Sequence, residues 1–431
     1  MHRLGPKVQA GSQAIRQGDS MTAQTVGTSA FVARQAIFNR EKEVFAYELL
    51  SRAGTQNQYD ATDGDASTLD VIANGFLRFG LDELTDGKRG FINFTRKLLL
   101  EDVAALLPST MVAVEILESI EPDPEVLAAC RRLKASGYML ALDDFVMSAS
   151  GSPFLEVADI VKVDFLGTSP EERQKIARDL AARGVKTLAE KVETIEHFEE
   201  ASACGYEYFQ GYFFAKPVVR STSQILGSKV SYVRMLSEVN QPELSYDHLE
   251  SVIKQDISFT YHLLRYINSA WFGLRYKITS IKHALVLLGP KEIRKWFALV
   301  AMRYLGTDKP SELLQCCLAR AKMGEQIAPL VGLDSRAPEV FLVGMFSVID
   351  ALLDTPMEVI MAKLPLDDQV KGALLGQPNV YKTIFDAILS YEKGNWEDFS
   401  RHASELRLDE QSMPAIYAES LRWTRKALAI A

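Results

Sequence analysis

Short apolar runs alternate with amphipathic stretches throughout residues 31–217, and this alternation constrains the fold more than any other feature. The stretches 123–137 and 169–184 carry apolar residues at helical spacing, and each ends in a glycine, Gly137 or Gly184. The apolar runs are VFAYELL, RGFINFT, MVAVEIL, YMLALDDF, DIVKVDF, VKTLAEKV and YFQGYFF. Strands that alternate with helices predict a mostly parallel sheet, and this number of units favours a closed (β/α) barrel.

The pattern changes after about residue 221, where only helical periodicity is visible. One long apolar segment breaks at Gly289, and Pro290 then opens a second helix. No strand-like alternation follows, so this half is expected to be all-α. The sequence therefore predicts a mobile tail at 1–29, a (β/α) barrel at 30–220 and an all-α domain at 221–431.

Net charge, cysteine content and the length of the apolar stretches disfavour several classes of protein. The formal net charge of -8 disfavours a protein that binds nucleic acid through a broad basic surface. The 4 cysteines form no CxxC pair, which is typical of reduced thiols and a cytoplasmic protein. No apolar stretch is long enough to span a bilayer, and the N-terminal residues lack the apolar core of a secretory signal.

Polar side chains recur where the predicted strands end. They are Glu48, Asn93, Glu115, Glu118, Asp143, Asp144, Lys162, Asp164, Glu190, Glu193 and Gln210. A single carboxylate at a strand end is usually solvated, and a merely polar barrel mouth is the simpler interpretation. However, the carboxyl ends of barrel strands meet at one face, and carboxylates gathered there repel each other unless a cation lies among them.

The ligand chemistry of this face favours a metal–phosphate site. Oxygen ligands without His or Cys suit a hard cation such as Mg²⁺, Mn²⁺ or Ca²⁺, and one or two such ions can activate water against a phosphodiester. Lys162 would orient the water or offset developing charge, and it stands with Glu190 and Glu193 as a candidate catalytic residue. Arg52 would bind a phosphate oxygen, and Gln35 and Gln210 a base or phosphate.

Eight pieces of the chain, in order, carry a family resemblance. They are RQAIF, YELLSR, FINF, VEILES, LDDF, VKVD, AEKVET and GYEYFQGYFFAKP, within about residues 31–218. They resemble the EAL family of cyclic di-GMP phosphodiesterases, which implies a modified TIM-like barrel. The resemblance implies metal ligands at Glu48, Asn93, Glu115, Asp143, Asp144 and Glu190. It also implies a catalytic lysine at Lys162 and dinucleotide contacts at Gln35, Arg52 and Gln210.

The chain departs from the family pattern at several positions. Leu49 replaces the alanine of the EAL triplet, and Leu117 replaces a threonine. Lys191 replaces a glycine and adds a positive charge beside a metal ligand. The family reads DDFGTGYSSL where this chain reads DDFVMSASGSPFL, so Val146 and Met147 replace small residues. A rebuilt loop that shifts the ligands by about 1 Å would lower the rate about a hundredfold.

The helical half resembles the HDOD family, an output domain related to HD phosphohydrolases. The resemblance is carried by LLRYINSAWFGLRYKITSIKHALVLLGPKEIRKWF. None of the 6 histidines is followed by Asp, so we do not expect a metal-dependent hydrolase here, and His262 and His283 are interpreted as ordinary helix residues. Trp271, Phe272 and Trp296 are expected in the core, with a partner surface as the alternative.

Together these patterns predict a cytoplasmic bacterial protein of cyclic di-GMP signalling. Its EAL-type barrel binds cyclic di-GMP, and its HDOD-type domain contacts a protein partner. In one alternative the barrel hydrolyses the dinucleotide to pGpG with one or two Mg²⁺ or Mn²⁺ ions. In the other it is an inactive receptor, or a pure scaffold on a degenerate barrel. A homodimer is compatible with either, and no nucleic-acid partner is expected.

Overall fold

Eight strands close into a barrel in which each strand is hydrogen-bonded to the next and β8 returns to β1. The computed structural model describes residues 31–52, 68, 80–143, 152–216, 227–241, 243–254, 257–269, 272 and 274–430. The strands are β1 (Phe31–Phe38), β2 (Val44–Arg52), β3 (Arg89–Phe94), β4 (Val112–Ile116), β5 (Met139–Leu142), β6 (Ile160–Asp164), β7 (Lys186–Glu190) and β8 (Tyr208–Gln210). The predicted barrel is thus confirmed, and the seven apolar runs form β2 to β8.

The first strand was not among the predicted apolar runs, and it runs against the others. β1 pairs antiparallel with both β2 and β8, whereas β2 to β8 pair in parallel. Only residues 39–43 separate β1 from β2, and the backbone N–H of Asn39 donates to the carbonyl of Glu43. A parallel connection needs a crossover of a dozen or more residues, so this short turn forces a hairpin.

Helices cover the barrel between successive strands. They are α1 (Leu81–Thr85), α2 (Arg96–Leu100), α3 (Pro124–Ala135), α4 (Pro170–Ala181) and α5 (Ile195–Cys204). Asp123 caps α3 by accepting from the backbone N–H of Val126, and Ser169 caps α4 in the same way. Gly137 and Gly184, predicted to end α3 and α4, both have positive φ just beyond these helices. The glycine signals therefore mark the helix ends correctly.

The described residues from 227 onward form helices only, which confirms the predicted all-α half. The helices are α6 (Gly227–Val239), α7 (Tyr246–Lys254), α8 (Ile257–Ile267), α9 (Ile281–Leu305), α10 (Ser311–Leu330), α11 (Ala337–Phe346), α12 (Ile349–Leu353), α13 (Met357–Met361), α14 (Asp368–Leu374), α15 (Val380–Glu392), α16 (Trp396–Leu406) and α17 (Met413–Ile430). α9 bends at Gly289, whose φ is 71°, as the Gly-Pro break predicts. Within the described ranges, no helix is long and apolar enough to cross a membrane.

The helical domain packs directly against the β1–β2 hairpin. Phe31 is fully buried, and its ring lies 6.1 Å from the rings of both Trp396 and Phe399. On the neighbouring strand, the hydroxyl of Tyr47 donates to Glu312 Oε2 at 2.7 Å. The hairpin therefore belongs to two cores at once, because its strands complete the barrel and its side chains fill the helical domain.

The predicted tail at 1–29 and the predicted boundary between residues 220 and 221 lie outside the described residues, as do Asp144 and the loop that follows it. Trp271 is also outside them. Trp296 is buried, at 2% exposure, and so is core as expected.

A substitution at Gly211, which follows Gln210, tests how tightly the backbone is packed at the end of β8. Its φ is 145°, and a Cβ there would lie 2.1 Å from the carbonyl oxygen of Val192. We expect Gly211→Ala to lower the free energy of unfolding by about 3 kcal/mol, because backbone strain and overpacking add. Gly184→Ala is the matched control: its φ is 72° and no atom lies within 4 Å of the added carbon, so about 1 kcal/mol is expected.

Urea unfolding followed by circular dichroism gives both free energies. Equal losses in the two variants would contradict the proposed contact with Val192.

Candidate functional site

A floor of apolar side chains closes the interior of the barrel, with one residue from each strand. The floor consists of Ile37, Ala46, Phe91, Ala113, Ala141, Ile160, Leu188 and Tyr208. Side chains two residues apart on a strand point to the same side. The residue two positions from each floor residue, towards the mouth of the barrel, therefore forms a second interior layer above the floor. The alternation of the strands therefore decides which residues line the mouth.

The second layer is polar at all eight strands, and we call it the polar ring. It consists of Gln35, Glu48, Asn93, Glu115, Asp143, Lys162, Glu190 and Gln210. Seven of its residues lie within their strands, and Asp143 directly follows β5. On the seven parallel strands the ring residue follows the floor residue by two positions, and on β1 it precedes it by two because that strand runs the other way. All ring residues were predicted site residues, and the eight strands bring them together.

The ammonium group of Lys162 lies at the centre of the polar ring, where four carboxylates converge on it. Its Nζ is 2.8 Å from Glu190 Oε1, 2.9 Å from Asp143 Oδ1 and 3.3 Å from Glu48 Oε2, and it also donates to Glu115 Oε1. The side chain of Lys162 is 1% exposed. Four carboxylates around one ammonium leave the ring with an excess of negative charge.

Burial and mutual charge perturb the ionisation of this cluster. Burial is the largest influence on Lys162 and opposes its charge, but the four carboxylates outweigh it and hold the pKa of Lys162 well above its ordinary value. Burial raises the pKa of Glu115 well above its ordinary value, against the attraction of Lys162. Burial likewise raises the pKa of Glu190 to about 7. The cluster therefore needs either positive charge or bound protons among its carboxylates.

The amide side chains of the ring connect to the carboxylates. Gln210 Nε2 donates to Glu48 Oε2 at 2.6 Å and to Gln35 Oε1 at 2.9 Å. Three buried oxygen atoms, Asn93 Oδ1, Glu115 Oε2 and Gln210 Oε1, accept no hydrogen bond from any residue that the structure describes. Buried oxygens without a donor are costly, so these atoms are suited to a ligand or a cation.

The donor set fits a hard cation in its chemistry. It contains only carboxylate and amide oxygens, and Asn93 and Glu115 each have an unused buried oxygen. Over the described part of the chain, however, no group of three or more His, Cys, Asp or Glu side chains is arranged to hold a metal ion. In this arrangement the ring carboxylates converge on Lys162 Nζ. Asp144, which the resemblance implies as a further ligand, lies outside the described residues.

Of the predicted site residues that the structure describes, two are not in the polar ring. Glu193 forms an ion pair with Lys216 at 3.2 Å, and both side chains are about half exposed. The guanidinium of Arg52 lies against the helical domain, where Nη2 donates to Glu410 Oε2 at 2.9 Å and Nη1 to Ser400 Oγ at 3.1 Å. The ring residues thus bond to one another inside the barrel, whereas Arg52 bonds to the helical domain.

Two of the substitutions that distinguish this chain from the EAL pattern, Lys191 and Leu49, lie beside the ring rather than in it. Lys191 has a φ of 55°, a conformation that suits glycine, and its ammonium bonds Asp164 Oδ2 at 2.5 Å. Its added charge is therefore paired with Asp164. Leu49 is 2% exposed and, by alternation, faces away from the barrel interior.

Sequence patterns did not identify two kinds of contact. Thr68 is buried and its hydroxyl donates to the carbonyl of Asn93 at 2.7 Å, which supports the end of β3. Ser400 and Glu410 hold Arg52 although they follow it by more than 340 residues. Neither contact has a local sequence signal, because both depend on how distant segments pack.

Two family models match the chain. The EAL domain model matches residues 77–217, and the HDOD domain model matches residues 228–354. The β1–β2 hairpin, with Gln35, Glu48 and Arg52, precedes the first match. The helices α13 to α17 follow the second.

Curated relatives match nearly the whole chain. An uncharacterized protein, YuxH of Bacillus subtilis, is 38% identical over 91% of this chain and 97% of its own length. The protein named cyclic di-GMP phosphodiesterase CdgJ, from Vibrio cholerae, is 35% identical over 92% of this chain and 93% of its own length. Among solved structures, the manganese and cyclic di-GMP complex of Klebsiella pneumoniae BlrP1 is 26% identical over 44% of this chain and 56% of that one, with a TM-score of 0.37.

The polar ring predicts a pH-dependent stability defect when its lysine is removed. Lys162→Met leaves four carboxylates without their counter-charge, so we expect a loss of about 3 kcal/mol in unfolding free energy at pH 8 in EDTA. Without the attraction of Lys162, the pKa values of Glu115 and Glu190, which burial already raises, rise further in the folded protein. That protein binds protons which the unfolded chain releases, so the defect shrinks as the pH falls from 8 to 5.5.

Urea unfolding at several pH values measures this defect. Lys175→Met, on the exposed surface of α4, is the control, and a change within about 0.5 kcal/mol is expected at every pH. A Lys162→Met defect of the same size at pH 8 and pH 5.5 would show that the carboxylates do not depend on this ammonium.

Proposed function

The chain belongs to the EAL–HDOD family, and on that premise we propose that it is a cyclic di-GMP phosphodiesterase whose helical domain acts as the output. The observation that carries the proposal is the complete polar ring, in which all eight strands contribute a polar side chain above the apolar floor. Within the described residues, every position that the EAL resemblance implies as a metal ligand belongs to this ring. The similarity to CdgJ, a protein named for that activity, supports the same substrate.

In the proposed site, the ring oxygens of Glu48, Asn93, Glu115, Asp143 and Glu190 would hold a divalent cation, Mg²⁺ or Mn²⁺. Asp144, which lies outside the described residues, would be a further ligand. When bound, such a cation makes a coordinated water a better nucleophile and offsets the negative charge of the phosphate. Two ions would suit the number of oxygen donors. The unused buried oxygens of Asn93 and Glu115 support this role.

The protein's own groups position the dinucleotide and stabilise charge. Lys162 is held by carboxylates on several sides, so its ammonium keeps a fixed position from which its positive charge would offset charge that develops on the phosphate. Gln35 and Gln210, already hydrogen-bonded to each other, would present amide groups to the dinucleotide. The floor beneath the ring excludes water from below, which strengthens these interactions. Of the candidate catalytic residues, Lys162 and Glu190 suit the proposal, whereas Glu193 lies outside the ring.

A receptor without turnover is the second candidate. It is favoured by the sequence of the loop after Asp143, where Val146 and Met147 replace the small residues of the EAL pattern. In this alternative the ring binds cyclic di-GMP and the helical domain reports the bound state to a protein partner. In both candidates we propose a cytoplasmic location, which the four free thiols support.

One experiment separates these functions. The full-length chain is incubated with cyclic di-GMP and Mn²⁺, Mg²⁺ or EDTA, and both bound and linear nucleotide are followed. We expect pGpG to form only with a divalent cation. Glu115→Gln should lower the rate at least about a hundredfold, because it removes a charged ligand from the ring. Glu118→Gln, an exposed carboxylate just beyond β4, is the control and should turn over normally.

Two outcomes would contradict the phosphodiesterase, and they can be told apart. Binding without turnover in either metal supports the receptor in place of the enzyme. Calorimetry that detects no binding of cyclic di-GMP would rule out both and leave an interaction protein built on the barrel.

A further inference from the structure

The guanidinium of Arg52 is held by a group of helical-domain residues that we call the arginine clamp: Trp396, Ser400 and Glu410. Nη1 donates to the carbonyl of Trp396 at 3.3 Å and to Ser400 Oγ, and Nη2 donates to Glu410 Oε2. The guanidinium carbon also lies 4.6 Å from the centre of the Phe31 ring. The side chain of Arg52 is only 10% exposed. The clamp therefore removes this arginine from solvent.

Arg52 lies on the side of the hairpin that lines the barrel mouth. Glu48, Leu50 and Arg52 alternate along β2, so their side chains share one face, and Arg52 is about 13 Å further along the strand than Glu48. Leu50 lies under the turn between α15 and α16, because a Cβ on Gly394 would be 3.0 Å from Leu50 Cδ1. The helical domain thus covers the part of the hairpin that rises above the polar ring.

The clamp uses the groups on Arg52 that would otherwise bind a phosphate. Arg52 Nη2 faces the carboxylate of Glu410, an anion, and Ser400 Oγ bonds the same carboxylate oxygen at 3.1 Å. Arg52 Nε is buried and has no acceptor among the residues that the structure describes. An oxyanion that engaged Arg52 through two N–H groups would satisfy this donor, whereas the clamp does not.

We propose that Glu410 and a phosphate of the bound dinucleotide compete for Arg52. Nucleotide binding in the barrel and docking of residues 396–410 on the hairpin then oppose each other. This inference rests on the proposed function, and it adds to it the phosphate contact that the sequence analysis expects of Arg52. Since coupling between two sites is reciprocal, release of the clamp tightens nucleotide binding, and nucleotide loosens the clamp. The clamp residues lie beyond the HDOD-matched region, so the C-terminal helices transmit the state of the barrel.

The affinity of the full-length chain for cyclic di-GMP tests the competition. Calorimetry in EDTA prevents cation-dependent turnover during the titration. We expect Glu410→Gln to bind cyclic di-GMP about fivefold more tightly than the unmodified chain. Glu397→Gln is the control, since it removes the same charge from an exposed position on α16, and its affinity should not change.

A double-mutant cycle assigns the effect to Arg52. Arg52→Ala should weaken binding, and adding Glu410→Gln to it should bring no further gain, because the shared partner is absent. An affinity of Glu410→Gln equal to that of the unmodified chain would overturn the competition. So would an equal gain with and without Arg52, or with Glu397→Gln.

A second measurement needs no substitution. Amide hydrogen exchange of the full-length chain should be faster in residues 396–412 when cyclic di-GMP is present, and unchanged in α11, which is buried elsewhere in the helical domain. Unchanged or slower exchange at 396–412, with nucleotide bound, overturns the inference and leaves the proposed function standing. An unmodified chain that binds no cyclic di-GMP overturns both.

Discussion

The interaction on which the site depends is the convergence of four carboxylates on the buried ammonium of Lys162. Carboxylates from β2, β4, β5 and β7 cannot share the interior of one barrel unless positive charge lies between them. Lys162, from β6, supplies that charge in the absence of any other cation. The barrel can therefore close over an acidic interior.

The site also depends on the layering of the barrel interior. A floor of apolar residues occupies one level in all eight strands, and the polar ring occupies the next. The antiparallel β1 takes part in both layers because its register with β2 sets Gln35 opposite Glu48. The reversed strand thus adds an amide to the ring without disturbing the alternation on which the other seven strands rely.

The same hairpin joins the barrel to the helical domain. Phe31 and Tyr47 pack against the helices. Glu48 directly follows Tyr47 on β2, and its side chain belongs to the polar ring. A movement of the helices against the hairpin therefore acts on residues that lie only a few positions from Glu48 in the polar ring. This close connection gives a physical route between nucleotide and output, one that needs no long chain of intermediate contacts.

Local sequence determined most of the fold and of the ring. The alternation of apolar runs and amphipathic helices predicted the barrel, and the polar residue near each strand end predicted Glu48, Asn93, Glu115, Asp143, Lys162, Glu190 and Gln210, because a period of two is a property of each strand by itself. Tertiary structure decided the position of Lys162 among its carboxylates and the capture of Arg52 by Glu410. These features join segments from different parts of the chain, up to 358 residues apart for Arg52 and Glu410, and so depend on packing that no local pattern records.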